Sequence, residues 1–234
     1  MSLHASKFFH DVVYPKIGDC LQDYWHYMML VSVSILSFVL ITMYRVRTGF
    51  GKYRKFLHSN LLEWIWTCIP MIILVVLWFP STRNLYKMNH AGFPEWSFKA
   101  IGHQWYWSYE FLSSDKEGKV LSIDSYLAPS VEGVYRLLEV DQRMVAPAET
   151  EIRLIVTSVD VIHSFALPSL MLKVDGIPGR MNHLVFTVDR ACVLYGMCSE
   201  ICGVNHSFMP IVVEFIPKKE FGIWLAKVTD QLGG

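Results

Sequence analysis

Hydrophobic and polar positions along this chain fall into two regimes. In the first, Tyr27 to Tyr44 ("YMMLVSVSILSFVLITMY") carries no charge, and Leu61 to Pro80 ("LLEWIWTCIPMIILVVLWFP") is apolar apart from Glu63. As helices at about 1.5 Å per residue, each is long enough to cross a bilayer. Neither shows the polar stripe that a core helix of a soluble protein turns to water, so two membrane spans are expected. Pro70 lies inside the second and predicts a mild kink. After about residue 98 the pattern changes to short alternating segments: Ala100 to Phe111, Arg136 to Val140, Glu151 to Ser158, His183 to Val188 and Ile211 to Ile216. Period two with intervening Gly and Pro predicts strands, and the absence of long amphipathic helices among them favours a sandwich or small barrel. Lys218 to Gln231 reads as a short surface helix.

Charge orients this arrangement. Residues 1–102 hold ten basic and five acidic side chains, whereas residues 103–234 hold 11 and 16, a change from +5 to −5. Arg45, Arg47, Lys52, Arg54 and Lys55 lie between the spans without an acid, which puts that loop inside and both termini outside. The first apolar run exceeds a signal peptide's core, follows Asp11, Asp19 and Asp23, and has no small-residue cleavage site after it, so it is expected to be retained. Glu63, near the inner end of span two, is either an interface carboxylate reaching water or a proton-handling group. The five cysteines are too few for a disulfide scaffold, and the odd count leaves one unpaired.

Candidate chemistry is concentrated in "CSEICGVNHSFMP". Cys198, Cys202, His206 and Met209 follow a strand on a loop broken by Gly203 and Asn205, and His163 lies just past another strand. Three readings fit. A Cys198–Cys202 disulfide leaves the histidine and methionine unexplained. A Cys2His2 zinc site leaves Met209 idle and lacks finger-like spacing. Thiolate, imidazole and thioether together suit copper; with two thiolates the donors suffice for two bridged ions, each taking one histidine, with Met209 and a backbone carbonyl as weak ligands.

That loop, together with "DVIHSFALPSL", "VDGIPGR" and "GHQWYWSYE", resembles the subunit II family of cytochrome c oxidases, across both spans and the outer domain. The resemblance implies an α+β membrane protein: a two-helix transmembrane hairpin (residues 1–98), then a cupredoxin-like Greek-key β-barrel (99–234). It implies a dinuclear copper centre, CuA, in which Cys198 and Cys202 bridge, His163 and His206 bind one ion each, Met209 is axial and Glu200 gives its backbone carbonyl. The Glu200 side chain is implied to reach a magnesium ion shared with subunit 1. Trp105 corresponds to the ring that receives electrons from cytochrome c, and Glu63 to a carboxylate at the inner mouth of a proton path. The expected role is to take electrons from cytochrome c and pass them to haem a in subunit 1, with oxygen reduction and proton pumping elsewhere in the complex.

The expected setting is the mitochondrial inner membrane with both termini in the intermembrane space, with other oxidase subunits as partners and no nucleic acid. A quinol oxidase relative is disfavoured because that branch lacks the copper ligands. A membrane-anchored, zinc-stabilised binding domain remains the alternative of a different class. Residues 110–160 hold ten acids against five bases, and Glu110, Asp141 and Asp160 are named as docking charges for a basic partner. Asn89 and His90 stand where relatives often carry acids, and Met197 where they commonly have glutamine. His103, Trp107 and Tyr109 are expected to share one strand face with Trp105, mostly as core and interface. Cys20, Cys68 and Cys192 are read as packing residues.

Overall fold

The computed structural model describes residues 16–49, 58–88, 92–112, 120–129 and 135–232. Lys52, Arg54, Lys55, Asn89, His90 and Asp11, used in the sequence reading, lie outside that set. The chain divides into a helical unit, residues 19–88, which holds all but the first three residues of its two helices, and a β unit that holds the described chain from Gly92 on.

The helical unit consists of α1 (Lys16–Arg47) and α2 (Asn60–Met88), both longer than the apolar runs inside them. Each is long and apolar enough to cross a membrane, and the apolar window of neither is buried within the protein. Three hydroxyls inside the apolar runs are satisfied locally: Ser34 donates to the Leu30 carbonyl (2.7 Å), Thr42 to Phe38 (2.8 Å) and Thr67 to Glu63 (2.9 Å). Such back-bonding removes the cost of an unpaired polar group in hydrocarbon. Ser59 caps α2 by accepting from Leu62 N–H at 3.3 Å, and Glu63 sits in the first turn, where the helix dipole favours a negative charge. Pro70 and Pro80 both lie inside α2, which continues through them to Met88. The start of α1 meets the end of α2: Asn84 donates to the Cys20 carbonyl (3.1 Å) and Lys87 to Cys20 Sγ (2.9 Å). The two helices therefore run antiparallel.

In the β unit, β1 (Trp96–His103), β2 (Tyr106–Leu112), β3 (Val120–Ser125), β5 (Glu151–Ser158) and β8 (Asn182–Thr187) form one sheet in the order β3-β2-β1-β5-β8. A second contains β4 (Met144–Pro147), β10 (Pro210–Ile216) and β9 (Cys192–Met197), ordered β4-β10-β9. A third pairs β6 (His163–Leu167) with β7 (Leu172–Gly176). The pairs β1–β5 and β4–β10 are parallel, so the chain crosses between sheets rather than meandering. The expected class of a membrane hairpin followed by a cupredoxin-like β domain stands. Its described strands form three sheets and not one closed barrel.

Strand β5 shows why the layers pack: Ile152, Leu154, Val156 and Ser158 point inward in strict alternation. With Phe98, Trp107, Tyr109, Phe165, Ile211 and Phe215, the three apolar ones form one core. The last helix, α3 (Lys218–Leu232), closes that core with Phe221, whose ring meets Trp96 edge-on at 4.9 Å and lies 5.7 Å from Trp224. Lys218 pairs with Glu95 just ahead of β1.

Two expected strands differ from those observed. Ala100 to Phe111 is an antiparallel hairpin, β1 and β2, reversing at Gln104 and Trp105 with His103 opposite Tyr106. Trp105 therefore lies in the turn, and His103, opposite Tyr106 and stacked on it, lies on the other face, so that of the four only Trp107 and Tyr109 share one strand face. Alternation continued through the reversal, and a Gln-Trp turn lacks the Gly or Asn that normally marks one. Arg136 to Val140 is a turn with Leu137 at φ 64°, followed by one isolated bridge from Val140 to Leu127.

Candidate metal centre

Three loops converge at one end of the β unit: the β1–β2 turn, the β5–β6 loop ending at His163, and the long β9–β10 loop from Cys198 to Met209. Strand register brings them together. Ser199 N–H donates to the Ser164 carbonyl at 3.0 Å, which fixes the β9–β10 loop beside the first residues of β6.

His163, Cys198, Cys202 and Met209 are all buried, while His206 is partly exposed and Glu200 is open to solvent. Cys198 Sγ lies 3.9 Å from Cys202 Sγ, 3.9 Å from His163 Nδ1 and 3.4 Å from the Glu200 carbonyl oxygen. Cys202 Sγ lies 3.4 Å from His206 Nδ1 and 3.5 Å from Met209 Sδ. The ligating atoms of His163, Cys198 and Cys202 all fall within 4.8 Å of one another. Two donors held about 2.0–2.3 Å from a common ion are roughly 3.3–4 Å apart, so these separations fit a metal-binding set. Both cysteines are free thiols, and the disulfide reading is not the one realised here. All six donors named from the sequence are assembled, the Glu200 carbonyl included.

The protonation of the pair follows from its surroundings. Burial pushes the Cys198 thiol up, but hydrogen bonds from His163 and from the Ser164 and Glu200 backbone outweigh it and bring it down to about 7. Burial and the Cys198 charge push Cys202 up to about 12. The two thiols therefore do not both ionise readily near neutrality, and a bound cation would make the second thiolate accessible. Burial lowers His163, but contacts with Cys198 and Asp160 reverse this and leave it raised.

The residues around the donors are equally ordered. His163 Nε2 meets Asp160 Oδ1 at 2.8 Å, so Nδ1 is the nitrogen turned toward Cys198. Burial raises the Asp160 carboxyl, but hydrogen bonds from His163, Val161 N–H and Gln104 N–H leave it lowered. Gln104 Nε2 and Trp105 Nε1 both donate to the Cys202 carbonyl, at 2.7 and 3.3 Å. Trp105 is thereby held against the backbone of Cys202. A second network runs beside it: Ser108 Oγ donates to Asp124 Oδ1 (2.6 Å), which leaves His103 Nε2 (3.1 Å) as the donor to Ser108. His103 stacks on Tyr106 at 4.4 Å, and Tyr106 on Tyr126 at 4.5 Å. Burial lowers the His103 pKa, and the charges of Asp160 and Asp124 offset only part of it.

The three acids expected to steer a basic partner occupy different settings. Glu110 pairs with Lys99 at 2.9 Å, both partly buried. Asp160 is engaged with His163 and Gln104. Asp141 is exposed and accepts the Tyr126 and Gln142 N–H groups through Oδ1. In the helical unit Glu63 lies 3.1 Å from His58, both exposed. Sequence reasoning missed the Asp160–His163 contact, although their i,i+3 spacing just past a strand was available as a signal.

Two membrane-length helices, followed by a cupredoxin-like domain whose loops converge sulfur and imidazole donors at one end, define a membrane-anchored protein with a metal-competent thiolate site. The sequence matches the family Cytochrome C oxidase subunit II, periplasmic domain, over residues 96–216, and its transmembrane domain over residues 3–83. It is 49% identical to cytochrome c oxidase subunit 2 of Mytilus edulis, covering 96% of this chain and 98% of that one. With the Metridium senile protein of the same name it shares 43% identity over 94% of this chain and 89% of the relative. The crystallised periplasmic domain of subunit II of cytochrome oxidase from Bradyrhizobium japonicum superposes with a TM-score of 0.55 at 41% identity, covering 61% of this chain and 99% of that domain. The chain belongs to the cytochrome c oxidase subunit II family, and it is a membrane-bound subunit of that oxidase.

Proposed function

We propose that this chain is the electron-receiving subunit of its oxidase. It takes one electron at a time from reduced cytochrome c, which is oxidised, and passes it to haem a in subunit 1, where oxygen is reduced to water as protons are pumped. The observation that carries this reading is the convergence of two imidazoles, a thioether and a carbonyl on two thiols, with each of these donors 3.4–3.9 Å from a cysteine sulfur and the two sulfurs 3.9 Å apart. In it, Cys198, Cys202, His163 and His206 would hold a pair of copper ions, with Met209 and the Glu200 carbonyl as weaker donors. Copper bound there supplies a one-electron couple shared between two ions.

The chain's own groups do the rest. Burial excludes water from the thiolates, and Asp160 keeps the His163 lone pair turned toward the centre. Trp105 offers its ring as the arrival point, one hydrogen bond from the Cys202 backbone. Asp141, Glu110 and Asp160 contribute negative potential that steers a basic cytochrome c. The exposed Glu200 carboxylate is free to share a magnesium ion with subunit 1. Glu63 takes protons on the inner side. The division falls at 98/99, with the outer domain and both termini in the intermembrane space of a mitochondrion.

Stopped-flow reduction of the complete oxidase by cytochrome c tests this. Trp105→Ala is expected to slow reduction at least tenfold with copper content unchanged. An unchanged rate contradicts the assigned arrival point.

A further inference from the structure

The Gln104–Trp105 turn is held from two sides, and each side belongs to a different metal ligand. On one, Gln104 Nε2 and Trp105 Nε1 donate to the carbonyl of Cys202. On the other, Gln104 N–H donates to Asp160 Oδ2 at 2.7 Å, while Oδ1 of the same carboxylate binds His163 Nε2 at 2.8 Å and accepts Val161 N–H at 2.6 Å. One side chain thus sets the rotation of a ligand ring and the seat of the turn that carries Trp105.

We propose that Asp160 is a positioning residue that couples the two: it fixes His163 for metal binding and anchors the Trp105 turn. The inference rests on the two-copper reading of the site. A carboxylate that accepts from the distal ring N–H of a metal-ligating histidine locks the tautomer and raises the basicity of the other nitrogen. Asp160 also uses its second oxygen, which is why an amide cannot replace it. Asparagine presents one oxygen and one N–H2, so either His163 or Gln104 then faces a donor instead of an acceptor. Glutamate keeps both acceptors on a longer arm. This role is separable from steering, because a steering charge alters the salt dependence of the reaction with cytochrome c and leaves the isolated centre untouched.

The test compares complete oxidase complexes carrying wild-type, Asp160→Asn, Asp160→Glu and Asp141→Asn chains, in the absence of cytochrome c. Copper retention against a chelator and the near-infrared and paramagnetic signature of the resting centre are read. Asp160→Asn is expected to lose copper at 10- to 100-fold lower chelator concentration and to shift the band. Asp160→Glu should recover part of the retention, and Asp141→Asn should match wild type. Should Asp160→Asn fail to assemble, Asp160→Ser, which cannot accept from both His163 and Gln104 in the same geometry, takes its place: weaker retention with a displaced band supports the role, and wild-type retention and band overturn it. Asp160→Asn with wild-type retention and band overturns the inference even if its reaction with cytochrome c slows. A wild-type complex with no paired-copper signal overturns the underlying reading and this inference with it.

Discussion

Gly102 shows how much of the centre depends on residues with no donor atom. A Cβ there would stand 2.8 Å from the His163 ring, closer than the ring can accept without moving. Gly102→Ala is therefore expected to cost about 1–3 kcal/mol from overpacking and to weaken copper retention, measured by thermal denaturation and chelator titration. Wild-type values for both would show that His163 has room to spare. Glu139 gives a pH-dependent case. Burial raises its carboxyl, but hydrogen bonds from Arg143, Val140 N–H and Tyr195 leave it below the usual carboxylate range. A carboxyl depressed in the folded state stabilises above its unfolded pKa of about 4.3, and that contribution is lost as pH falls through the folded value. Glu139→Gln should lower the melting temperature at pH 7, with the gap from wild type closing as the pH falls below about 4. A gap that stays constant with pH removes ionisation from the explanation.

At the level of elements, the long apolar runs and β5 were legible because each repeats one simple pattern over many residues. The turn at Gln104 and Trp105 was hidden because polar and apolar residues kept alternating across it. Strands β4, β6 and β7, of four or five residues, are too short for periodicity to register, and β6 and β4 are buried on every residue, which erases alternation. The β9–β10 loop was readable for the opposite reason: its donor types announce chemistry even where its path does not. Asp160 was assigned to the surface because sequence shows a charge and not its partners. Helix α3 yields a prediction of its own. Phe221 is buried against Trp96, Phe98 and Trp224, so Phe221→Ala should cost about 3–5 kcal/mol by calorimetry. The copper spectrum of the folded variant should be unchanged, since none of those rings belongs to the loops of the centre.

For the molecule as a whole, the proposed proton and electron roles fall to different units. Glu63, 3.1 Å from His58 at the start of α2, belongs to the helical unit, whereas every donor of the centre belongs to the β unit. Glu63→Gln is expected to slow steady-state turnover several-fold while the near-infrared band and the rate of reduction by cytochrome c stay at wild-type values. Normal turnover removes this carboxylate from the proton path. The central claim concerns the cysteine pair, and metal analysis combined with paramagnetic resonance on the purified oxidase tests it most directly. Wild type should carry two copper ions in this chain with one mixed-valence signal shared between them, and Cys198→Ser should abolish that signal and electron uptake together. A single zinc with no signal, or a Cys198→Ser complex that keeps its band and respires normally, contradicts the account.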